Sequence, residues 1–160
     1  MVYTVPIERS THLIERTTFE PPKEGCECMF VKLNKKEGIK IYPSKENALF
    51  AYNRQKKAYE CGVAPNVFSK VGKCLIGNLL QFDRYDVFST DSGVPRVYGY
   101  FYITEVAKKV YRWDQDEGDK VEAILEHLGY ETEDMMEARN LGRVDGRLVA
   151  IDFGKLSTAW

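Results

Sequence analysis

The sequence predicts an α+β fold built on antiparallel sheet, and three observations carry that expectation. Strand-like apolar runs come in neighbouring pairs, two amphipathic stretches of helical spacing lie between them, and an Asp-Gly turn near the C-terminal end is flanked by apolar residues. The order is strands, helix, strands, helix, hairpin.

Residues 2–20 are rich in Thr, Val and Ile and predict extended structure, and Pro21, Pro22 and Gly25 mark a break after them. Residues 28–33 and 39–42 are two strand-like runs joined by the polar, Gly-ended stretch 34–38, the length of a hairpin loop, so they should pair antiparallel. Pro43 ends the second run. Ser44 is the expected N-cap of a helix through Glu60, with Gly62 as its stop. Apolar or small residues at Ala48, Leu49, Ala51, Tyr52, Ala58 and Tyr59 recur at three- and four-residue steps, which predicts one face packed on a sheet.

Gly62 to Pro65 turns the chain into a further expected strand at 66–71, while the mixed pattern of 73–88 assigns no element. Residues 96–103 form the clearest strand, and its near-continuous apolar character predicts burial on both faces. Val121, Ile124, Leu125 and Leu128 place a helix over 116–127 with Gly129 as its stop, and a second short helical piece is expected over 133–138. Last comes a hairpin, 140–144 and 147–152, around Asp145-Gly146, two residues that both tolerate positive φ.

With 160 residues, 44% hydrophobic and 29% charged, the composition is that of a folded chain and excludes a disordered or fibrous one. Lys plus Arg (23) nearly balances Asp plus Glu (24), which disfavours a nucleic-acid binder driven by phosphate neutralisation. No apolar run approaches the roughly 18 residues of a membrane span, and the opening residues lack a secretory signal's apolar block, so no membrane association and a cytoplasmic location are expected. Cys26 and Cys28 share a strand face and with Cys61, Cys74 or His12 offer a zinc set, but the spacing is not the usual C-x-x-C; reduced thiols are the reading adopted. His12 and His127 have no G-x-S-x-G elbow to serve. Tyr98, Tyr100 and Tyr102 alternate on one strand face as a stacking platform or as sheet packing, and Trp113 and Trp160 are partner anchors or core caps.

Counting outward from the Asp145-Gly146 turn pairs Val144 with Arg147 and Asn140 with Ile151, which brings Asn140 and Asp152 to the same open end. An amide oxygen beside a carboxylate suits Mg²⁺, which takes one or two protein oxygens and fills its shell with water and phosphate. A strict pleat would aim the two at opposite faces, so the strand must end or twist there.

These residues resemble the protein-kinase-like fold. Residues 145–154, ending in Asp152-Phe153-Gly154, look like the strand leading into that family's Asp-Phe-Gly motif, with Asn140 at the place of its catalytic-loop Asn. Ile39-Lys40-Ile41 resembles the strand whose Lys holds the α- and β-phosphates, the helix from Ser44 resembles the regulatory helix, and Gly62 to Pro65 is similar to the turn after it. Residues 100–107 resemble the last small-lobe strand and hinge. The resemblance implies a small lobe and hinge over 1–107 and a strongly reduced second lobe over 108–160. It implies ATP and Mg²⁺ as ligands, with backbone groups of Glu105 and Ala107 meeting adenine and Lys40, Asn140 and Asp152 meeting phosphate and metal.

The chain departs from the family pattern in four places. Only Gly25 stands where a glycine-rich loop belongs, and the helix shows no obvious inward Glu for Lys40, since counting back from Gly62 lands near Ala51 to Asn53. Position 135, where the catalytic Asp belongs, is Met; Asp134 is the candidate base, one residue early, a step of about 100° on a helix. Only six residues follow Gly154, so the peptide-binding platform is missing, a trimming that suits a compact viral or phage genome. Two functions follow: a nucleotide-binding kinase-like protein with weak or no phosphotransfer, or a non-catalytic interaction module acting through a protein partner or a homodimer.

Overall fold

Ser44, two residues past the end of one strand, opens the helix around which the fold is arranged. The computed structural model describes residues 2–5, 14–18, 28–76, 88–89 and 95–154. Within it, Val2–Val5 (β1) and Ile14–Thr18 (β2) pair antiparallel. Met29–Lys32 (β3) and Glu37–Tyr42 (β4) form the expected hairpin, with Asn34 Oδ1 accepting from the amides of Lys36 and Glu37 to shape its turn. Pro21 to Gly25 lie outside the described residues.

The first helix, Lys45–Glu60 (α1), starts as the sequence predicts: Ser44 Oγ accepts from the Asn47 amide at 3.1 Å, satisfying one of the orphan donors of the first turn. Its buried residues are Ala48, Ala51, Gln55 and Ala58, a stripe at steps of three and four. Leu49 and Tyr59, expected on that face, lie outside it and stay more than a third exposed. Small side chains on the inner stripe let α1 sit close to the sheet, where Ala48 and Ala51 pack with Tyr42 and Tyr102.

Gly72–Ile76 (β5), Phe88–Ser89 (β6) and the long Pro95–Glu105 (β7) complete the main sheet, ordered β3-β4-β7-β5 with β6 also on β7. As expected for a central strand, consecutive residues Phe101 to Thr104 are all buried. The strand predicted at 66–71 is not one. Only Val67 bridges to Thr104, and the ladder stops because the Ile103 amide donates to the hydroxyl of Ser69 in place of a backbone carbonyl.

Beyond β7, Lys108–Lys109 (β8) pairs with Leu141–Val144 (β9), which pairs with Arg147–Ala150 (β10) in the predicted register, Val144 against Arg147. Asp145 and Gly146 take φ of 51° and 78°, the two positive values that a tight two-residue hairpin turn requires. Gly142 is needed for a different reason: a Cβ there would lie 2.7 Å from Ala107 Cβ and 3.0 Å from the Lys108 carbonyl, so β8 could not approach. The second helix, Gln115–His127 (α2), buries Val121 and Leu125. The helical piece predicted at 133–138 is shifted: Thr132 to Met136 form a turn, and a short 3₁₀ helix covers Ala138–Asn140.

A second core joins the end of α1 to the C-terminal part of the described chain. Ala58, Val63 and Ala64, at and after the end of α1, pack with Leu125, Leu148 and Phe153, and the Ala150 amide donates to the Val63 carbonyl at 2.9 Å. Among the described residues no helix is long and apolar enough to cross a membrane.

Candidate functional site

Lys40 lies in the middle of β4, two residues from Tyr42, so the two side chains share the sheet face that α1 covers. It is only 6% exposed. A lysine is buried this far only when its ammonium is satisfied, and Nζ donates to Gln55 Oε1 at 3.1 Å and to the carbonyl of Ile151. The sequence suggested that α1 offers Lys40 no inward partner; Gln55 fills that position.

Gln55 has no exposed surface, and every polar atom of its amide is used. Oε1 also accepts from the Tyr102 hydroxyl at 2.8 Å, while Nε2 donates to the Pro65 carbonyl at 3.0 Å and to Thr104 Oγ1 at 2.7 Å. These bonds tie β4, α1, the turn after it and β7 together around the ammonium.

Asn140 and Asp152 meet at the open end of the β9–β10 hairpin as the register count requires. The Ile151 amide donates to the Asn140 carbonyl at 3.0 Å, and both strands end one residue earlier, at Leu141 and Ala150, so the pleat no longer dictates where the two side chains point. Asn140 Nδ2 donates to the Asp134 carbonyl at 2.7 Å, which turns its amide oxygen the other way. An amide oxygen and a carboxylate, here that of the half-buried Asp152, are the ligand types a hard cation takes. Lys40 therefore touches the backbone one residue before Asp152, and Asn140 touches the same residue from the other side. No family, curated protein or solved structure matches this chain.

The tyrosines beside the ammonium register the charges around them. Tyr42 and Tyr102 stack with ring centroids 5.8 Å apart and hydroxyls 3.3 Å apart. Because the Tyr102 hydroxyl donates to Gln55, Tyr42 donates to Tyr102. Burial raises both pKa values, Tyr42 the further; Lys40 pulls Tyr102 back, and Asp152 pushes both up. Each phenol thus keeps its proton to higher pH when folded than when unfolded. Its contribution to stability is full below about pH 10, the unfolded value, and is lost as pH rises through the folded one, at up to about 1.4 kcal/mol per pH unit for each tyrosine. Unfolding in denaturant between pH 9 and pH 11 should therefore show falling stability, and Tyr42→Phe should flatten the slope; an unchanged slope would count against this pairing.

The remaining sequence candidates are spread around this centre. Glu105 is held by Asn66, whose amide donates to its carboxylate at 3.0 Å and whose carbonyl takes its amide at 2.9 Å, and its carbonyl accepts from the Thr104 hydroxyl at 3.2 Å. Ala107 packs against Gly142, and the two residues after Ala107 pair with the edge of β9. Asp134 is exposed and Met135 is buried, so the side chain at the family's base position points into the core. Tyr102 is buried under α1, which matches sheet packing and not a stacking platform, and Trp113 packs on Gly118. Cys61 is a free thiol, and among the described residues no three His, Cys, Asp or Glu side chains cluster to hold a metal.

Two clefts open elsewhere. One of about 660 Å³ lies between Cys61–Val63, the start of α2 and Arg147, and one of about 360 Å³ lies between α1 and residues 66–70.

The residue that sequence reasoning missed is Gln55. Its signal was a polar residue at the fourth position after Ala51 and the third before Ala58, inside an otherwise small and apolar stripe.

Proposed function

We propose that this chain is a protein-kinase-like nucleotide binder with weak or no phosphotransfer. The observation that supports it is that the Lys40 ammonium and the Asn140 carbonyl both bond the backbone of Ile151, next to Asp152, although the three come from β4, the turn before β9 and the chain after β10. Nucleotide handling of this kind asks for positioning and charge compensation more than for covalent chemistry. Lys40 supplies the cation for phosphate, Asp152 and the Asn140 amide oxygen hold Mg²⁺, and the Glu105 carbonyl and Ala107 backbone face adenine. Mg²⁺ when bound would neutralise phosphate charge. Asp134, exposed and one residue out of place, is a poor base for an attacking hydroxyl, which is why efficient transfer is not part of the proposal.

The test is the unfolding midpoint with and without ATP and Mg²⁺. Ligand at 100 times its dissociation constant should stabilise the protein by about 2.7 kcal/mol, several degrees in a chain of this size. The shift should vanish in Lys40→Met and Asp152→Asn.

One observation favours the second reading, a non-catalytic interaction module. The cleft between α1 and residues 66–70 exposes Tyr59 and Phe68, at 37% and 46%, while Lys40 is already bonded inside the protein. A wild-type protein that shows no ATP-dependent shift would overturn nucleotide binding and leave this reading, with a protein partner or a second copy of the chain as the thing to seek.

A further inference from the structure

The backbone around Asp152 is gripped from both sides by cations. Lys40 Nζ donates to the carbonyl of Ile151, and Arg54 NH1 donates to the carbonyl of Phe153 at 3.0 Å. The two come from different elements, β4 and α1, and each is fixed by its own surroundings. The Arg54 guanidinium lies 4.2 Å from the ring centroid of Tyr130 and 4.9 Å from that of Phe50, and the Tyr130 hydroxyl returns a bond to the Arg54 carbonyl at 3.2 Å. Phe153 itself is fully buried, edge-on to Tyr130.

The Ile151 carbonyl lies in the peptide plane that precedes Asp152 and the Phe153 carbonyl in the plane that follows Phe153, so the two bonds anchor the short segment at both ends and leave only the 152–153 peptide between them, which limits the directions open to the Asp152 Cα–Cβ bond. A guanidinium suits this task because its flat face stacks on aromatic rings while its edge donates in the plane; an ammonium has no flat face to stack. We infer that Arg54 is a positioning residue for Asp152: with Lys40 it forms a clamp that locks residues 151–153 and presents the Asp152 carboxylate to a divalent cation. The presenting role rests on the nucleotide reading above; the clamp rests on the bonds alone.

The experiment has two arms, run on Arg54→Met and Arg54→Lys. Hydrogen exchange on the ligand-free protein should accelerate about tenfold at the amides of 151–154 in both variants, while β4 amides stay unchanged, because a charge-assisted bond that closes this segment has been lost. ATP affinity with Mg²⁺ should weaken about tenfold and ATP affinity in EDTA should stay within about twofold, since the loss falls on the cation's ligand. If Arg54→Met fails to fold, Arg54→Lys carries both arms, because it keeps the charge. Unchanged exchange at 151–154, or acceleration spread equally over the whole chain, overturns the clamp. Equal loss of affinity with and without Mg²⁺ overturns the presenting role. If exchange responds as expected but the wild-type protein binds ATP in neither condition, the nucleotide reading and the presenting role fall together, and the clamp stands.

Discussion

Gln55→Leu is expected to lower the free energy of unfolding by about 3–5 kcal/mol, one of the two largest single-residue effects in the fold. Leucine is close to glutamine in size, so little cavity forms and the loss is almost wholly polar. Removing the amide takes one acceptor from Lys40 and from the Tyr102 hydroxyl, and one donor from the Pro65 carbonyl and from Thr104, all in a region that water does not reach. A buried polar group left without its partner costs its full desolvation. Gln55→Glu gives the control. A carboxylate still accepts from Lys40 and Tyr102, but the Thr104 hydroxyl must turn from the Asn66 and Glu105 carbonyls to donate to it, and the Pro65 carbonyl loses its donor and meets a like dipole. That variant should cost about 1–3 kcal/mol. Chemical denaturation of both proteins is the measurement, and a Gln55→Leu loss under about 1 kcal/mol would mean that the network is not the fastening described.

The same network explains why much of the fold was legible in the sequence and the centre of the site was not. Local chemistry acts over a few residues, and wherever it decides the structure the reading held. Ser44 caps α1, the Asp145-Gly146 turn sets the register of β9 and β10, and that register carries Asn140 and Asp152 to one end. Each of these follows from neighbouring residues and from the periods of strand and helix. The strand expected at 66–71 failed for a non-local reason, the insertion of the Ser69 hydroxyl into the ladder with Ile103, which no pattern of apolar residues encodes. The helical turn expected at 133–138 moved because Asn140 Nδ2 and its own amide bond back to Asp134 and Glu137, closing the chain as a tight 3₁₀ turn just before β9.

Gln55 was hidden by chemistry of another kind. A search for a charged partner to Lys40 looks for Glu, finds none facing inward and concludes that the lysine is stranded, yet a neutral amide satisfies an ammonium when its remaining atoms are also bonded. Stripe position was the better guide than charge, because Ala51, Gln55 and Ala58 can point only toward the sheet. Arg54, its neighbour, makes a bond to the Phe153 carbonyl that depends on a segment 99 residues away.

Phe153→Ala is the second large effect, about 3–5 kcal/mol of unfolding free energy. The ring is fully buried, lies edge-on to Tyr130 at 6.4 Å between centroids, and has the Lys40 ammonium 5.9 Å from its own centroid. Its packing partners include Val63 and Ala64 after α1, Leu125 on α2 and Leu148 on β10. Truncation therefore opens a cavity where elements from both sides of residue 107 meet, the boundary at which the sequence suggested one lobe passes into another. Phe153→Leu keeps most of the volume and should cost about 1–2 kcal/mol. Because that core is shared, the wild-type protein should unfold in one transition, with fluorescence and circular dichroism coincident. Phe153→Ala removes the largest side chain of the shared core and is the variant in which the two portions are most apt to separate into distinct steps. Two transitions already present in the wild-type protein would show instead that the boundary at residue 107 divides independent units, and that the bonds Lys40 and Arg54 make to Ile151 and Phe153 contribute little to holding them together.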